Sequence, residues 1–225
     1  LITYARDKQI HLYRFGIDYK IQPALENRRA EYYDQQGSLE IGTLKLFGPY
    51  QWNNAASVIF AIRSLYHKLP VSADSILHSL TATDVTGRFQ YWQNQPDVIL
   101  DVAHNPHAAR ALRSNLALLN AETSQVIAVF SMLSDKDIVS VVKVLSDVIS
   151  RWEIAPIDHP RAASIQYLTD CIRTASPAAV VNQHADLPSA LSAAYKKAAK
   201  NDKIIVFGSF FTVAAILELS PQEVC

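Results

Sequence analysis

Apolar and polar side chains alternate along the first part of the chain and then change to helical spacing. The run QIHLYRFGIDYKI (9–21) alternates, and RAEYYDQQGSLEIGTLKLF (29–47) reads as two strands around a turn at Gly37. Residues 9–46 are therefore expected to be β-rich. In NNAASVIFAIRSLYHKL (53–69), Ala55, Ile59, Ile62 and Tyr66 recur every three or four residues, which predicts a helix that Asn53 or Asn54 can cap and Pro70 stops. SADSILHSLTA (72–82) predicts a second helix with Ser72 as its cap. The polar segment TDVTGRFQ (83–90) marks a domain boundary, with one domain over 1–85 and another over 86–225.

From residue 97 the pattern alternates between short apolar runs and helical stripes. DVILDV, QVIAVF, RWEIA, AAVVNQ and KIIVF read as buried strands. Helices follow them: one with Ala109, Leu112, Leu116 and Leu119 on one face, one with Ile138, Val142, Leu145 and Ile149, then helices over 163–173, over 186–199 and from Ser209. Repeated strand–helix units with buried strands imply an α/β fold, a mainly parallel sheet flanked by helices on both faces.

Composition narrows the class. Of 225 residues, 49% are hydrophobic and 19% charged, enough for a core and too little charge for disorder. Lys+Arg and Asp+Glu are equal at 21 each. That balance, with no basic run, gives no electrostatic footprint for nucleic acid or an anionic membrane. No apolar run is long enough to span a bilayer, and LITYARDKQI has no signal-peptide pattern. Cys171 and Cys225 lie far apart, which makes a disulfide framework a poor reading and a reducing cytoplasmic setting the default. The first residue is Leu, in strand-like sequence, as expected of a chain cut from a longer protein.

In an open α/β sheet, ligands bind beyond the carboxyl ends of the strands, which directs attention to 101–107, 131–136 and 208–212. DVAHNPHAA (101–109) puts Asp101 at a strand end, then His104, then Asn105 as an N-cap and Pro106 at the first helical position. The helix start beyond it suits a carboxylate or phosphate. Plainer readings stand beside these. Asp101 could serve only its own turn, and Ser209 could simply cap its helix. His104 and His107 are three apart, but Pro106 lies between them without a third ligand nearby, so they make a poor metal site. No G-x-G-x-x-G, G-x-S-x-G, H-E-x-x-H or paired-cysteine motif occurs. Gly37 and Gly42 have Walker A spacing, but Thr43 and Leu44 stand where Lys and Ser/Thr are required, so this is no P-loop.

DVAHNPHAA resembles the signature of the bifunctional folylpolyglutamate synthases / dihydrofolate synthases of the Mur-ligase superfamily. QWNNAA (51–56), TGRFQ (86–90), SDKD (134–137) and GSFFTV (208–213) are similar to further motifs of that family, in the same order; Thr86 departs from its usual Pro. The resemblance implies a Rossmann-like C-terminal domain preceded by the tail of a P-loop ATPase domain. It implies a cytoplasmic, monomeric ligase that uses ATP and Mg²⁺ to join L-glutamate to dihydropteroate or folate through an acyl phosphate. The P-loop and magnesium ligands of the family lie upstream of these motifs, so this chain alone is expected to be inactive, with no catalytic residue or metal ligand of its own. By position, Asn54, Arg88 and Asp101 match ATP-binding residues (adenine, phosphates and ribose), and His104, with Ser209 as the weaker candidate, matches the glutamate side. Two alternatives remain: a ligase of peptidoglycan precursors, and a non-catalytic ligand-binding domain of the same fold.

Overall fold

A computed structural model describes residues 1–24, 29–119 and 125–220. The chain folds as two compact units, Leu1–Asp84 and Val85–Cys225.

The first unit contains a short helix α1 (Ile2–Asp7), an antiparallel sheet of β1 (Lys20–Ala24), β2 (Arg29–Asp34) and β3 (Gly37–Ile41), and helices α2 (Tyr50–Ser64) and α3 (Ala73–Ala82). Tyr32, Ile41, Ala56, Ile59 and Ile76 form its core. The hairpin expected around Gly37 is present, with Asp34 paired to Gly37 across the turn. Three expectations are corrected. The alternation over 9–21 yields a strand only from Lys20. A tight turn interrupts the run: the Asp18 carboxylate accepts from the Arg14 N–H at 2.7 Å, and the Gly16 N–H donates to the Tyr19 carbonyl at 2.7 Å. The start of the chain is helical rather than strand-like. Helix α2 begins at Tyr50 with Pro49 as its N-cap, which puts Asn53 and Asn54 inside it rather than at its cap. Ser72 does cap α3, accepting from the Ser75 N–H at 3.2 Å.

The second unit is a six-stranded sheet in the order β4-β5-β9-β6-β7-β8. Its strands are β4 (Gln90–Gln93), β5 (Asp97–Asp101), β6 (Val126–Phe130), β7 (Arg151–Ile154), β8 (Val180–Gln183) and β9 (Lys203–Phe207). All neighbours are parallel except β4, an antiparallel edge strand that the polar sequence QYWQ did not announce. Helices α4 (Pro106–Ala117), α5 (Ile138–Leu145) and α6 (Ile165–Ala175) pack side by side; α7 (Leu187–Lys197) packs on β6 and β7 and beside α8 (Phe210–Leu217). Period-2 alternation divides the sheet between two cores. Val98, Leu100, Val129, Val206 and Ile204 join Leu191, Ala194 and Val213 of α7 and α8. Phe130, Trp152 and Phe207 form an aromatic cluster with centroids 4.9–6.1 Å apart. Each helix from α4 to α8 starts at a side-chain cap, Asn105, Asp137, Ser164, Asp186 or Ser209, whose oxygen accepts an N–H three residues on. Among the described residues no helix is long and apolar enough to cross a membrane.

Candidate functional site

Strand order decides which motifs meet. β9 lies between β5 and β6, with Phe207 in register with Asp101 on one side and Phe130 on the other. The segments that leave these strands, 102–107, 131–136 and 208–211, therefore emerge side by side on one rim of the sheet.

Gly208 makes the close approach possible. Its φ is +119°, and a Cβ placed there would lie 2.1 Å from the Ser131 carbonyl oxygen and 2.9 Å from the Phe130 ring. Next to it, the Ser209 hydroxyl is buried and fully engaged. It accepts from the Thr212 N–H at 2.9 Å, and Thr212 Oγ1 donates to the Ser131 carbonyl at 2.8 Å, so the 2.7 Å hydroxyl pair is donated by Ser209. The capping reading of Ser209 is thus realised, and its contribution to the rim is to fix the start of α8.

His104 lies one residue ahead of the α4 cap Asn105, whose side chain accepts from the Ala108 N–H at 2.9 Å. His104 Nδ1 is 2.8 Å from the Val102 carbonyl. A carbonyl only accepts, so Nδ1 carries the proton and Nε2 is left for a ligand. His104, Leu133, Lys136, Arg161, Gly208, Ser209, Phe210 and Phe211 line a cavity of about 200 Å³. Three groups able to carry positive charge and the first turn of a helix thus surround one small space, a field that favours an anion. Phe210 is exposed beside His104 (6.0 Å between centroids), and Phe211 packs against His159 with the rings tilted (4.2 Å).

Asp101 ends β5 and is largely buried. Its Oδ1 accepts from the Ala103 N–H at 2.8 Å and its Oδ2 from the Phe89 N–H at 3.0 Å. Burial pushes its carboxyl up to about 6, against the pull of those two N–H groups and of the Arg88 charge. The Phe89 bond pins the 87–90 turn, where Phe89 has φ +48°, the Gly87 N–H donates to Gln90 Oε1, and the Val102 N–H donates to the Gly87 carbonyl. The turn leaves Arg88 exposed next to Asp101. Asp101 does serve its own turn, yet each carboxylate oxygen keeps a lone pair for another donor. Asn54 is exposed on α2 in the first unit, with Nδ2 donating to Gln51 Oε1 at 3.0 Å.

The sequence reading gave no role to Lys136, Arg161, Phe210 or Phe211. Lys136 and the phenylalanines lie within rim segments already singled out. Arg161 follows β7, two places from β9 in the sheet, and the strand-end rule applied to RWEIA would have found it. A larger cavity of about 380 Å³ lies within the first unit, lined by Tyr13, Asp34, Phe60, Arg63 and Tyr66 among others. Its Arg63 is already paired with Asp34 at 3.0 Å, and none of the five motif residues lines it.

Residues 87–210 match the family described as Mur ligase, glutamate ligase domain. The chain is 33% identical over 215 residues to the dihydrofolate synthase/folylpolyglutamate synthase of Escherichia coli K12, covering 96% of this chain and 48% of that protein. Its fold is similar to that of E. coli FolC in complex with DHPP and ADP, with a TM-score of 0.83, 32% identity, and coverage of 96% of this chain and 49% of that one. A bifunctional folylpolyglutamate synthase/dihydrofolate synthase with Mn, AMPPNP and L-glutamate bound gives a TM-score of 0.80 at 34% identity, with 97% and 50% covered. The chain thus spans about half the length of the curated relatives it matches.

Proposed function

Because this chain belongs to the Mur ligase family, in its folylpolyglutamate synthase and dihydrofolate synthase branch, we propose that it forms the glutamate side of an ATP-dependent ligase that adds L-glutamate to dihydropteroate, folylpolyglutamate or both. In this reading ATP phosphorylates the acceptor's carboxylate. The glutamate amine then attacks the acyl phosphate, forming the amide and releasing phosphate. Positioning and charge neutralisation dominate such phosphoryl transfer, and Mg²⁺ supplies part of the neutralisation when bound. Among the described residues no group of three or more His, Cys, Asp or Glu could hold a metal ion, so no step here is assigned to magnesium. Without a P-loop in its sequence, the 225-residue chain by itself is proposed not to turn over.

The small cationic cavity carries the proposal. At about 200 Å³ it lies below the roughly 300–1,000 Å³ typical of drug-sized ligands, which suits one amino acid better than a whole folate. His104 Nε2 would engage a glutamate carboxylate when the ring is protonated, and Ser209 would act by holding the start of α8. Arg88, a planar cation on a pinned turn, suits two-donor contact with phosphate oxygens. Asp101 would use its spare lone pairs on the ribose hydroxyls, and Asn54 would meet the adenine.

The test uses steady-state kinetics in the protein that carries this chain together with a P-loop half. His104→Ala removes a charge-assisted bond of about 1.5–3 kcal/mol and should raise the glutamate KM roughly ten-fold or more, with the ATP KM nearly unchanged. Asp101→Ala should do the reverse. Exchange of the two patterns would overturn the assignments, and steady turnover by the pure 225-residue chain would overturn the division of labour.

A further inference from the structure

The loops after β6 and β7 are zipped together through their backbones. Leu133 bridges Ala162, the Ser134 N–H and Oγ both donate to the Arg161 carbonyl at 2.9 and 3.2 Å, and the Ala163 N–H donates to the Met132 carbonyl at 3.0 Å. This zipper sets Lys136 and Arg161 on the cavity wall. Asp135 stands between them, with one oxygen 2.9 Å from Lys136 Nζ and the other 3.6 Å from Arg161 Nη1. Among the described residues it is the only acidic side chain in ion-pair range of either cation.

We propose that Asp135 is a tethered counter-ion of this cavity: its carboxylate occupies Lys136 and Arg161 while the cavity is empty, and a ligand carboxylate must displace it to bind. Three observations support this. The Asp135 carboxyl is held below the usual carboxylate range, above all by its bond to Lys136, so it is charged at neutral pH. The zipper uses backbone atoms and the Ser134 hydroxyl, so the loops do not need the Asp135 charge to stay in place. Asp135 is itself exposed and does not line the cavity, so it can swing into solvent without leaving a buried charge. The function of such a residue is discrimination. Exposed ion pairs are weak, so the displacement lowers affinity by a factor of only about two to five, and a dicarboxylate that engages both cations recovers that loss more fully than a ligand with a single anionic contact. Glutamate as the ligand rests on the reading above; the counter-ion role rests only on the cavity and its cations.

The experiment is an NMR titration of the isotope-labelled 225-residue chain with L-glutamate and, separately, with glutarate, which has both carboxylates but no amine. Exposed ion pairs are weak, so Asp135→Asn should tighten binding about two- to five-fold. The gain should shrink as salt is raised, because exposed charges are screened. Asp135→Glu, which keeps the charge, should bind like the wild type. Equal or weaker binding by Asp135→Asn, or binding of neither ligand to wild type or variant, overturns the proposal. If glutarate responds as described and glutamate does not, the counter-ion role stands and the glutamate reading falls.

Discussion

Replacing Gly208 by Ala adds one carbon where the chain leaves β9 beside the end of β6. That Cβ would sit 2.1 Å from the Ser131 carbonyl oxygen, with the Phe130 ring at 2.9 Å on another side and the residue at φ +119°. The backbone must leave a region that L side chains rarely adopt, at a cost of about 1–3 kcal/mol. The overlap is with backbone, so the carbonyl has to move, and overpacking of this kind costs about 1–3 kcal/mol more. The displaced carbonyl is also the acceptor for Thr212 Oγ1, a bond worth about 1 kcal/mol. A total loss of about 3–7 kcal/mol is a large share of the 5–15 kcal/mol that typically holds a domain together. For a unit of this size it should lower the melting temperature by at least about 10 °C. Urea and thermal unfolding, followed by tryptophan fluorescence, to which Trp152, buried 6.1 Å from Phe207, contributes, will report it. Gly87→Ala is the comparison. Its φ is also positive, at +71°, and its Cβ would meet Val102 and Val213 side-chain carbons, the nearest at 2.7 and 3.3 Å; a side chain yields at less cost than a backbone carbonyl, so its loss should be smaller. If Gly208→Ala melts within about 3 °C of wild type, or above Gly87→Ala, the close approach of the two strand ends is not real.

Three further outcomes are expected. The Asp101 carboxyl, raised to about 6 in the fold, holds a proton that the unfolded chain has released between about pH 4 and 6. Stability should therefore fall as pH rises through that window and level off above it, by at most about 3 kcal/mol; urea unfolding across pH should show a fall that Asp101→Asn lacks, and parallel profiles would refute the buried carboxyl. Ser209→Ala should cost about 1–2 kcal/mol through the lost cap and raise the glutamate KM less than His104→Ala does; a KM effect larger than that of His104→Ala would show direct contact. The buried Ser131 hydroxyl has no hydrogen-bond partner among the described residues, so Ser131→Ala should leave stability unchanged or raise it by up to about 1 kcal/mol, and a loss above 1 kcal/mol in urea unfolding would contradict that.

Local chemistry was legible without coordinates. Asn105 and Pro106 open α4 and Ser209 opens α8, as their side chains dictate. The five apolar runs from residue 97 became five parallel neighbours; β5, β6, β7 and β9 are largely buried, as such runs predict, whereas AAVVNQ, expected to be buried, forms the partly exposed edge strand β8. The same apolar character hid the strand order. Runs such as DVILDV and KIIVF carry no mark of which strand lies beside which, so the insertion of β9 between β5 and β6 was visible only in the fold. The polar edge strand Gln90–Gln93 was missed because its signal is a partner's free edge rather than its own pattern. Alternation over 9–14 misled for the opposite reason, since a strand needs a neighbour and among the described residues that stretch has none in the sheet.

The site divides along the same line. His104, Asp101 and Ser209 could be named from motif and strand-end position, since each sits where a strand hands over to a helix. The use of each polar atom could not. Only packing shows the Thr212 hydroxyl tied to the Ser131 carbonyl, the Asp101 oxygens holding the turn that bears Arg88, and His104 Nδ1 turned to a carbonyl. Arg161 joins the cavity through a loop-to-loop zipper, a contact between segments 27 residues apart. Residue type and helix capping are local properties that the sequence alone determines. Which strands are neighbours, and so which loops share a rim, is settled by long-range pairing, and tertiary structure alone decides it.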